Sequence, residues 1–206
     1  MPSLDVPLSS RFDAALALAH RVHRRQARKG TQVPYISHVL GVASIVLEYG
    51  GTEDEAIAAL LHDALEDAPD DLPAEDVRRL IAEGFGDAVL DIVEDCTDTT
   101  VQPKPPWRER KARYVARAEH ASLAAMRVSA ADKLHNVRAL ARDYRRQGAA
   151  LWQRFNPEAG QSGTLGYYRA LADIYKRRLP GPLADDLDLA VGDLEKLTHE
   201  PGQWTG

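Results

Sequence analysis

Residues 52–67 of this 206-residue chain read TEDEAIAALLHDALED, and this stretch decides the predicted fold. Thr52 and Glu55 form the pattern T-x-x-E, a capping box that is typical of a helix start. The residues that follow are apolar almost all round, so we expect this helix to be buried. Four polar residues nevertheless interrupt the apolar run: His62, Asp63, Glu66 and Asp67.

These four residues need a common explanation. His62 and Glu66 are four residues apart, as are Asp63 and Asp67, so each pair is predicted to share a face of the helix. A buried carboxylate is costly unless it is paired, hydrogen-bonded or bound to a metal ion. A divalent ion held by imidazole and carboxylate groups would offset that cost. The alternative is that Glu66 and Asp67 lie in water at the helix end and that His62 is an ordinary core histidine.

Two residues elsewhere in the chain favour the metal interpretation. His38 ends the segment PYISH, and Asp132 lies in the segment AADKLHN within a late apolar helix. With His62 and Asp63 they provide two imidazoles and two carboxylates from three predicted helices. Such a set suits a divalent ion that keeps positions open for water and substrate.

The rest of the chain also has helical periodicity, and no alternating strand pattern of convincing length is present. The predicted helices cover about residues 10–29, 34–49, 52–67, 74–83, 87–95, 108–119, 122–145, 167–178 and 182–197. Three prolines predict an irregular loop over 97–107, and the Gly-containing residues 148–166 are expected to form a connection. The sequence therefore predicts an all-α fold. At about 150 residues per domain, we expect one domain over 1–206, with its core at about 11–145 and C-terminal helices at about 167–197.

The composition excludes several classes of protein. Lys and Arg number 26 against 31 Asp and Glu, and this net charge of −5 argues against nucleic-acid binding. The single cysteine, Cys96, excludes an internal disulfide and a cysteine-based zinc cluster. No apolar stretch approaches the roughly 20 residues that span a bilayer, and the N-terminus lacks a signal-peptide pattern. We expect a cytoplasmic protein with no membrane association, and its oligomeric state stays open.

Charge is distributed unevenly along the chain. Residues 11–29 and 104–117 each carry a local charge of +5, whereas residues 53–76 contain ten acids and no Lys or Arg. An acidic centre between two basic segments suits a polyanionic nucleotide, whose reactive end would meet a metal ion and whose other phosphates would meet Arg and Lys. The alternative is that these charges are solvated helix faces.

The sequence resembles the HD-domain metal-dependent phosphohydrolases, and specifically the hydrolase domain of RelA/SpoT-type enzymes and the small alarmone hydrolases. The shared segments are RK at 28–29, PYISH at 34–38, ALLHDALED at 59–67 and ADKLHN at 131–136, with shorter matches at 85–86 and 97–98. They follow the family's order over about residues 11–145. The resemblance implies an HD-domain helical bundle.

The resemblance also implies a reaction, which is hydrolysis of the 3′-pyrophosphate of ppGpp or pppGpp to GDP or GTP plus pyrophosphate. It implies one divalent ion, usually manganese and otherwise another transition metal, and a small nucleotide as partner. The implied metal ligands are His38, His62, Asp63 and Asp132. Glu66 and Asp67 match the pair that orients or deprotonates the attacking water. The implied substrate contacts are Arg28, Lys29, Asn136 and Tyr167.

Departures from the family leave alternatives open. Many relatives have proline where this chain has Val39, and residues 101–107 and 148–166 do not follow the family closely. The base preference is therefore open, and adenosine alarmones or NADPH are alternative substrates. Two further hypotheses are another HD-superfamily nucleotide phosphohydrolase and a non-catalytic helical interaction module. The RK and ADKLHN segments favour the alarmone hydrolase, and the intact set of six metal and water-activating residues argues against the interaction module. We expect a hydrolase without a synthetase domain.

Overall fold

The structure is a computed structural model that describes residues 8–199. Within these residues the chain forms nine α-helices and one 3-10 helix, without a β-strand, so the predicted all-α fold is confirmed. The helices are α1 (Ser10–His23), α2 (Ile36–Glu48), α3 (Glu53–Leu61), α4 (Ala74–Phe85), α5 (Asp87–Cys96), α6 (Trp107–Ala118), α7 (Leu123–Gln147), the 3-10 helix (Gly148–Arg154), α8 (Gly160–Arg178) and α9 (Pro182–Thr198). Residues 1–7 and 200–206 of the predicted domain lie outside the described residues.

Helix α3 lies at the centre of the bundle. Residues 56–61 are completely buried, and the helix contacts α1, α2, α5 and α7. The predicted capping box is present, because Thr52 Oγ1 accepts from the Glu55 amide at 3.3 Å and Glu55 Oε2 accepts from the Thr52 amide at 2.7 Å. The buried Glu55 side chain also pairs with Arg127 of α7. The start of the central helix is thereby fixed to its neighbour.

The long helix α7 packs against most of the other helices of the bundle. It begins at an N-cap in which Ser122 Oγ accepts from the Ala125 amide at 3.1 Å. Its 25 residues contact α2, α3, α5, α8 and α9, and residues 128–134 are buried. Three separate segments, at the start of α2, the end of α3 and the middle of α7, therefore approach one another inside the bundle.

The prediction that the central helix continues through Asp67 was wrong. Helix α3 ends at Leu61, and residues 62–67 form consecutive turns. The His62 Nδ1 donates to the Ala59 carbonyl at 2.7 Å, and this carbonyl is the one that a continuing helix would offer to the Asp63 amide. The His62 side chain thus bonds to the carbonyl that the next helical amide would otherwise use, at the residue where the helix ends.

The first helix is also shorter than predicted. It ends at His23 rather than near Gly30, and the basic residues after it form a loop. The Arg28 amide donates to the Val33 carbonyl at 2.8 Å, and the Tyr35 amide donates to the Gln26 carbonyl at 2.9 Å. These two bonds fold residues 26–35 back on themselves, and Gly30 adopts a φ of 71° at the bend, where glycine carries no steric penalty.

The predicted connection over residues 148–166 was wrong as well. A 3-10 helix covers its first seven residues, and α8 begins at Gly160. A Cβ atom on Gly163 would lie 3.5 Å from the Trp107 ring, so α8 packs closely against α6 at this point. Tertiary packing therefore outweighs the poor helix propensity of three glycines. The loop predicted from its prolines, between α5 and α6, is irregular as expected.

Candidate metal centre

Two histidines and two aspartates converge where α2, α3 and α7 approach one another. His38 Nε2 lies 3.1 Å from Asp132 Oδ1 and 3.7 Å from Asp63 Oδ2. His62 Nε2 lies 3.0 Å from Asp63 Oδ2 and 3.7 Å from Asp132 Oδ1. Each imidazole therefore faces both carboxylates through the same ring nitrogen. The ligand atoms of His38, His62 and Asp132 all lie within 4.8 Å of one another, so this group could hold a metal ion.

The four side chains differ in their access to solvent. His38, His62 and Asp132 are buried, with at most 6% of each residue exposed. The Asp63 side chain is 20% exposed. The cluster is thus closed towards the protein core and reaches the surface on the side of Asp63, where a substrate could approach.

The orientation of His62 suits a metal ligand. Because its Nδ1 donates to the Ala59 carbonyl, the neutral ring carries its lone pair on Nε2. That nitrogen is buried and, among residues 8–199, makes no hydrogen bond of normal geometry. A buried acceptor that faces two carboxylates fits a cation placed between them.

The charges of the cluster depend on one another. Burial alone would raise the pKa of both aspartates. The neighbouring imidazoles lower the pKa of Asp63, and the Lys133 ammonium group, followed by the two imidazoles, lowers the pKa of Asp132. Burial likewise opposes the charge of His62, yet the two carboxylates raise its pKa well above its usual value. Burial keeps the pKa of His38 low. The aspartates are therefore ionised and attract a positive charge, which is either a proton on His62 Nε2 or a metal ion that replaces this proton.

Further side chains hold the carboxylates in place. Tyr35 OH donates to Asp63 Oδ2 at 2.6 Å. Lys133 Nζ and Asn136 Nδ2 donate to the two oxygens of Asp132, each at 2.5 Å. Such outer partners orient metal ligands and contribute to the affinity of the site.

The predicted pair Glu66 and Asp67 lies in the turns that follow His62 and Asp63. Glu66 Oε1 accepts from Lys104 Nζ at 2.8 Å, and Asp67 Oδ2 accepts from Gln26 Nε2 at 2.8 Å. Burial and the nearby Asp63 carboxylate raise the pKa of Asp67 to about 6. A carboxyl group with this pKa can exchange protons near neutral pH.

The structure brings two of the four predicted substrate residues together. Arg28 NH2 donates to Asn136 Oδ1 at 2.7 Å, and the guanidinium lies 5.6 Å from the centre of the Tyr35 ring. Since Asn136 also contacts Asp132, this pair borders the cluster. Lys29 is exposed beside Arg28.

Tyr167 lies in a buried aromatic group rather than on the surface. Only 5% of the residue is exposed, and its ring contacts those of Trp107, Tyr114 and Tyr168. The Lys111 ammonium group lies 4.9 Å from the centre of the Tyr167 ring and 2.9 Å from Asp98 Oδ2. In this conformation the ring serves packing, and its role as a substrate contact stays a prediction.

Sequence reasoning missed several residues around the cluster. His135 Nδ1 lies 2.9 Å from His38 Nδ1. Its spacing of three residues from Asp132 places both on one helical face, and this signal could have identified it. Gln26 and Lys104 contact the Glu66–Asp67 pair from segments about 40 residues away, and no local pattern indicates that proximity.

Histidine and aspartate side chains from three helical segments converge on one buried point, and the described residues form helices without a strand. These are the features of a metal-dependent helical enzyme domain. Residues 15–163 match the sequence family described as HD domain. The chain belongs to the HD domain family. The predicted resemblance is thereby confirmed.

Several proteins are similar to this chain. It is 41% identical over 138 residues to guanosine-3′,5′-bis(diphosphate) 3′-pyrophosphohydrolase MESH1 of Xenopus tropicalis, over 63% of this chain and 72% of that protein. It is 40% identical over 131 residues to the protein of the same name from Homo sapiens, over 62% of this chain and 68% of that protein.

Solved structures have the same fold. One is described as a metazoan ortholog of SpoT that hydrolyses ppGpp; it matches with a TM-score of 0.68 and 26% identity, over 91% of this chain and 95% of that one. Another, lmo0812 from Listeria monocytogenes EGD-e, matches with a TM-score of 0.64 and 26% identity, over 79% of this chain and 99% of that one. Among residues 8–199, no helix has the length and apolar character needed to cross a membrane.

Proposed function

We propose that this chain is a metal-dependent hydrolase that removes the 3′-pyrophosphate of guanosine alarmones. In this reaction ppGpp and water give GDP and pyrophosphate, and pppGpp gives GTP and pyrophosphate. The observation that carries the proposal is the convergence of two imidazoles and two carboxylates beside the Glu66–Asp67 pair. The relatives with about 40% identity are named for this reaction, which supports the same substrate class here.

The proposed metal ligands are His38, His62, Asp63 and Asp132, with Mn²⁺ as the proposed ion. When bound, a divalent ion supplies Lewis acidity, which favours deprotonation of the attacking water and neutralises charge on the phosphoryl oxygens. His62 offers a buried Nε2 whose orientation is fixed by a backbone carbonyl. The two ionised aspartates supply the negative charge that retains a cation.

Glu66 and Asp67 are proposed to orient the attacking water and to accept its proton. Both side chains are partly exposed, at 19% and 25%, next to the partly exposed Asp63. The pKa of Asp67, raised to about 6 by burial and by Asp63, leaves the carboxylate ionised at neutral pH and still basic enough to receive a proton. Lys104, which pairs with Glu66, places a positive charge beside this pair.

The nucleotide is proposed to bind along the border formed by Arg28 and Asn136. A planar guanidinium can stack on a base or bind a phosphate through two hydrogen bonds, and Arg28 already lies over the Tyr35 ring. The exposed Lys29 would contact a phosphate as a point charge. Tyr167 is a further proposed nucleoside contact, and the cytoplasmic location stays a prediction.

A comparison of substrates tests this proposal. The protein reconstituted with Mn²⁺ is assayed with ppGpp, pppApp, NADPH and a deoxynucleoside monophosphate, each with and without a chelator. We expect release of pyrophosphate and GDP from ppGpp, and no turnover in chelator. Release of single phosphate from ppGpp, or turnover of the deoxynucleoside monophosphate alone, would assign the chain to another HD phosphohydrolase class. Intact Mn²⁺ binding without turnover of any of the four compounds would favour a non-catalytic module.

A further inference from the structure

The second ring nitrogen of His38 has an unusual partner. His38 Nδ1 and His135 Nδ1 are 2.9 Å apart, and the centres of the two rings are 4.8 Å apart at an interplanar angle of 54°. Two imidazole nitrogens can form a hydrogen bond only if one carries the proton and the other offers a lone pair. The tautomer of His38 is therefore linked to that of His135.

We propose that His135 is a positioning residue, which accepts the Nδ1 proton of His38 and so keeps the His38 Nε2 lone pair directed at the metal centre. This inference rests on the metal centre proposed above. A histidine that binds a metal ion through Nε2 must carry its proton on Nδ1, and its outer partner must then be an acceptor. His135 meets this need as a neutral ring with its proton on Nε2.

The two metal-centre histidines are oriented by different means. The Nδ1 of His62 faces the backbone carbonyl of Ala59, which can only accept a hydrogen bond. The Nδ1 of His38 faces a side chain instead, which can be replaced without changing the backbone. His135 is three residues from Asp132, so α7 supplies both a proposed ligand and the partner of a second ligand.

A glycine on α2 makes room for the His135 ring. A Cβ atom on Gly41 would lie 2.5 Å from both Cδ2 and Nε2 of His135, which is closer than real contacts allow. Gly41 lies within a regular helix, where alanine has the better intrinsic propensity. The close approach of the ring therefore explains a glycine at this position, because local helix formation would favour alanine.

Two substitutions of similar shape distinguish the effect of the hydrogen-bond acceptor of His135 from the effect of its packing. His135→Asn keeps an oxygen acceptor at the position of Nδ1, whereas His135→Leu has a similar shape and no acceptor. The affinity for Mn²⁺ is measured by titration calorimetry, and thermal unfolding in chelator checks that each variant is folded. We expect His135→Leu to weaken Mn²⁺ binding by about 10- to 100-fold, as for other outer partners of metal ligands, and His135→Asn to stay within a few-fold of the wild type. His120→Leu, at an exposed position, is the control and should bind as the wild type does.

The absorption spectrum of bound Co²⁺ gives a second readout, which should change in His135→Leu and persist in His135→Asn. Gly41→Ala tests the same contact while the imidazole is kept, and it should also weaken Mn²⁺ binding because the ring is displaced. Equal affinity in the wild type and His135→Leu, or an equal loss in the Leu and Asn variants, would contradict the role of His135. Neither result would contradict the proposed metal centre. Absence of Mn²⁺ binding by the wild type would instead contradict the metal centre, and this inference with it.

Discussion

The Nδ1 of His62 lies 2.7 Å from the carbonyl oxygen of Ala59, and this one contact both ends α3 and aims the imidazole. Neighbouring residues in a continuous helix do not face the same point. Because the chain leaves the helix after Leu61, His62 and the adjacent Asp63 can approach each other, with Nε2 and Oδ2 only 3.0 Å apart. The end of the helix is therefore part of the proposed metal centre.

The sequence predicted the identity of these residues better than their local geometry. The apolar frame of residues 52–67 indicated that His62 and Asp63 need a partner such as a metal ion, and the structure brings His38 and Asp132 to them. The same apolar frame predicted a longer helix. Helix propensity depends on the local sequence, and it does not include the hydrogen bond that the His62 side chain donates to the Ala59 carbonyl. Residue spacing alone did not place α2 and α7 beside α3, and the family resemblance supplied that expectation.

Tertiary packing accounts for most of the remaining differences. Residues 160–166 contain three glycines, which predicted a connection, yet they form the start of α8, which packs against α6 near Trp107. Gln26 reaches Asp67 only because the loop after α1 folds back. Neither contact has a pattern in the nearby sequence that could have predicted it.

Glu66→Gln should lower kcat while the affinity for Mn²⁺ is retained. The substitution removes the proton-accepting carboxylate and preserves the shape of the side chain, and positioned general bases typically contribute about 100- to 10,000-fold in rate. Steady-state kinetics and Mn²⁺ titration on the same preparation measure both quantities. Glu83→Gln, at an exposed position of α4, should leave both unchanged. An unaltered kcat in Glu66→Gln would remove Glu66 from the mechanism.

The rate should fall on the acid side of the pH profile. Burial and Asp63 raise the pKa of Asp67 to about 6, and only the ionised carboxylate can accept a proton, so kcat should decline as the pH drops through that value. The Gln26 amide donates to Asp67 and lowers this pKa. Gln26→Met should therefore raise the pKa and move the acid limb to higher pH. The pH dependence of kcat is compared with that of Gln147→Met at an exposed site, and an acid limb that does not move would exclude Asp67 as its source.

Arg28→Met should raise the KM for the nucleotide more than it lowers kcat. A hydrogen bond to a charged partner contributes about 1.5–3 kcal/mol, so the loss should amount to roughly tenfold or more in KM. The neighbouring exposed Arg25→Met provides a control with the same change of charge. Initial-rate kinetics with ppGpp separate the two constants, and equal KM values for the two variants would show that Arg28 does not contact the substrate.

Titration of Mn²⁺ into the wild type, Asp63→Ala and Asp70→Ala tests the proposed metal centre most directly. Asp63 contacts both histidines of the cluster, whereas Asp70 is an exposed residue nearby in the sequence. We predict one bound ion per chain for the wild type and Asp70→Ala. Asp63→Ala should show no binding at concentrations that saturate the wild type, and no hydrolysis of ppGpp. One ion bound by Asp63→Ala with unchanged affinity and turnover would contradict the proposal that these four side chains hold the catalytic metal.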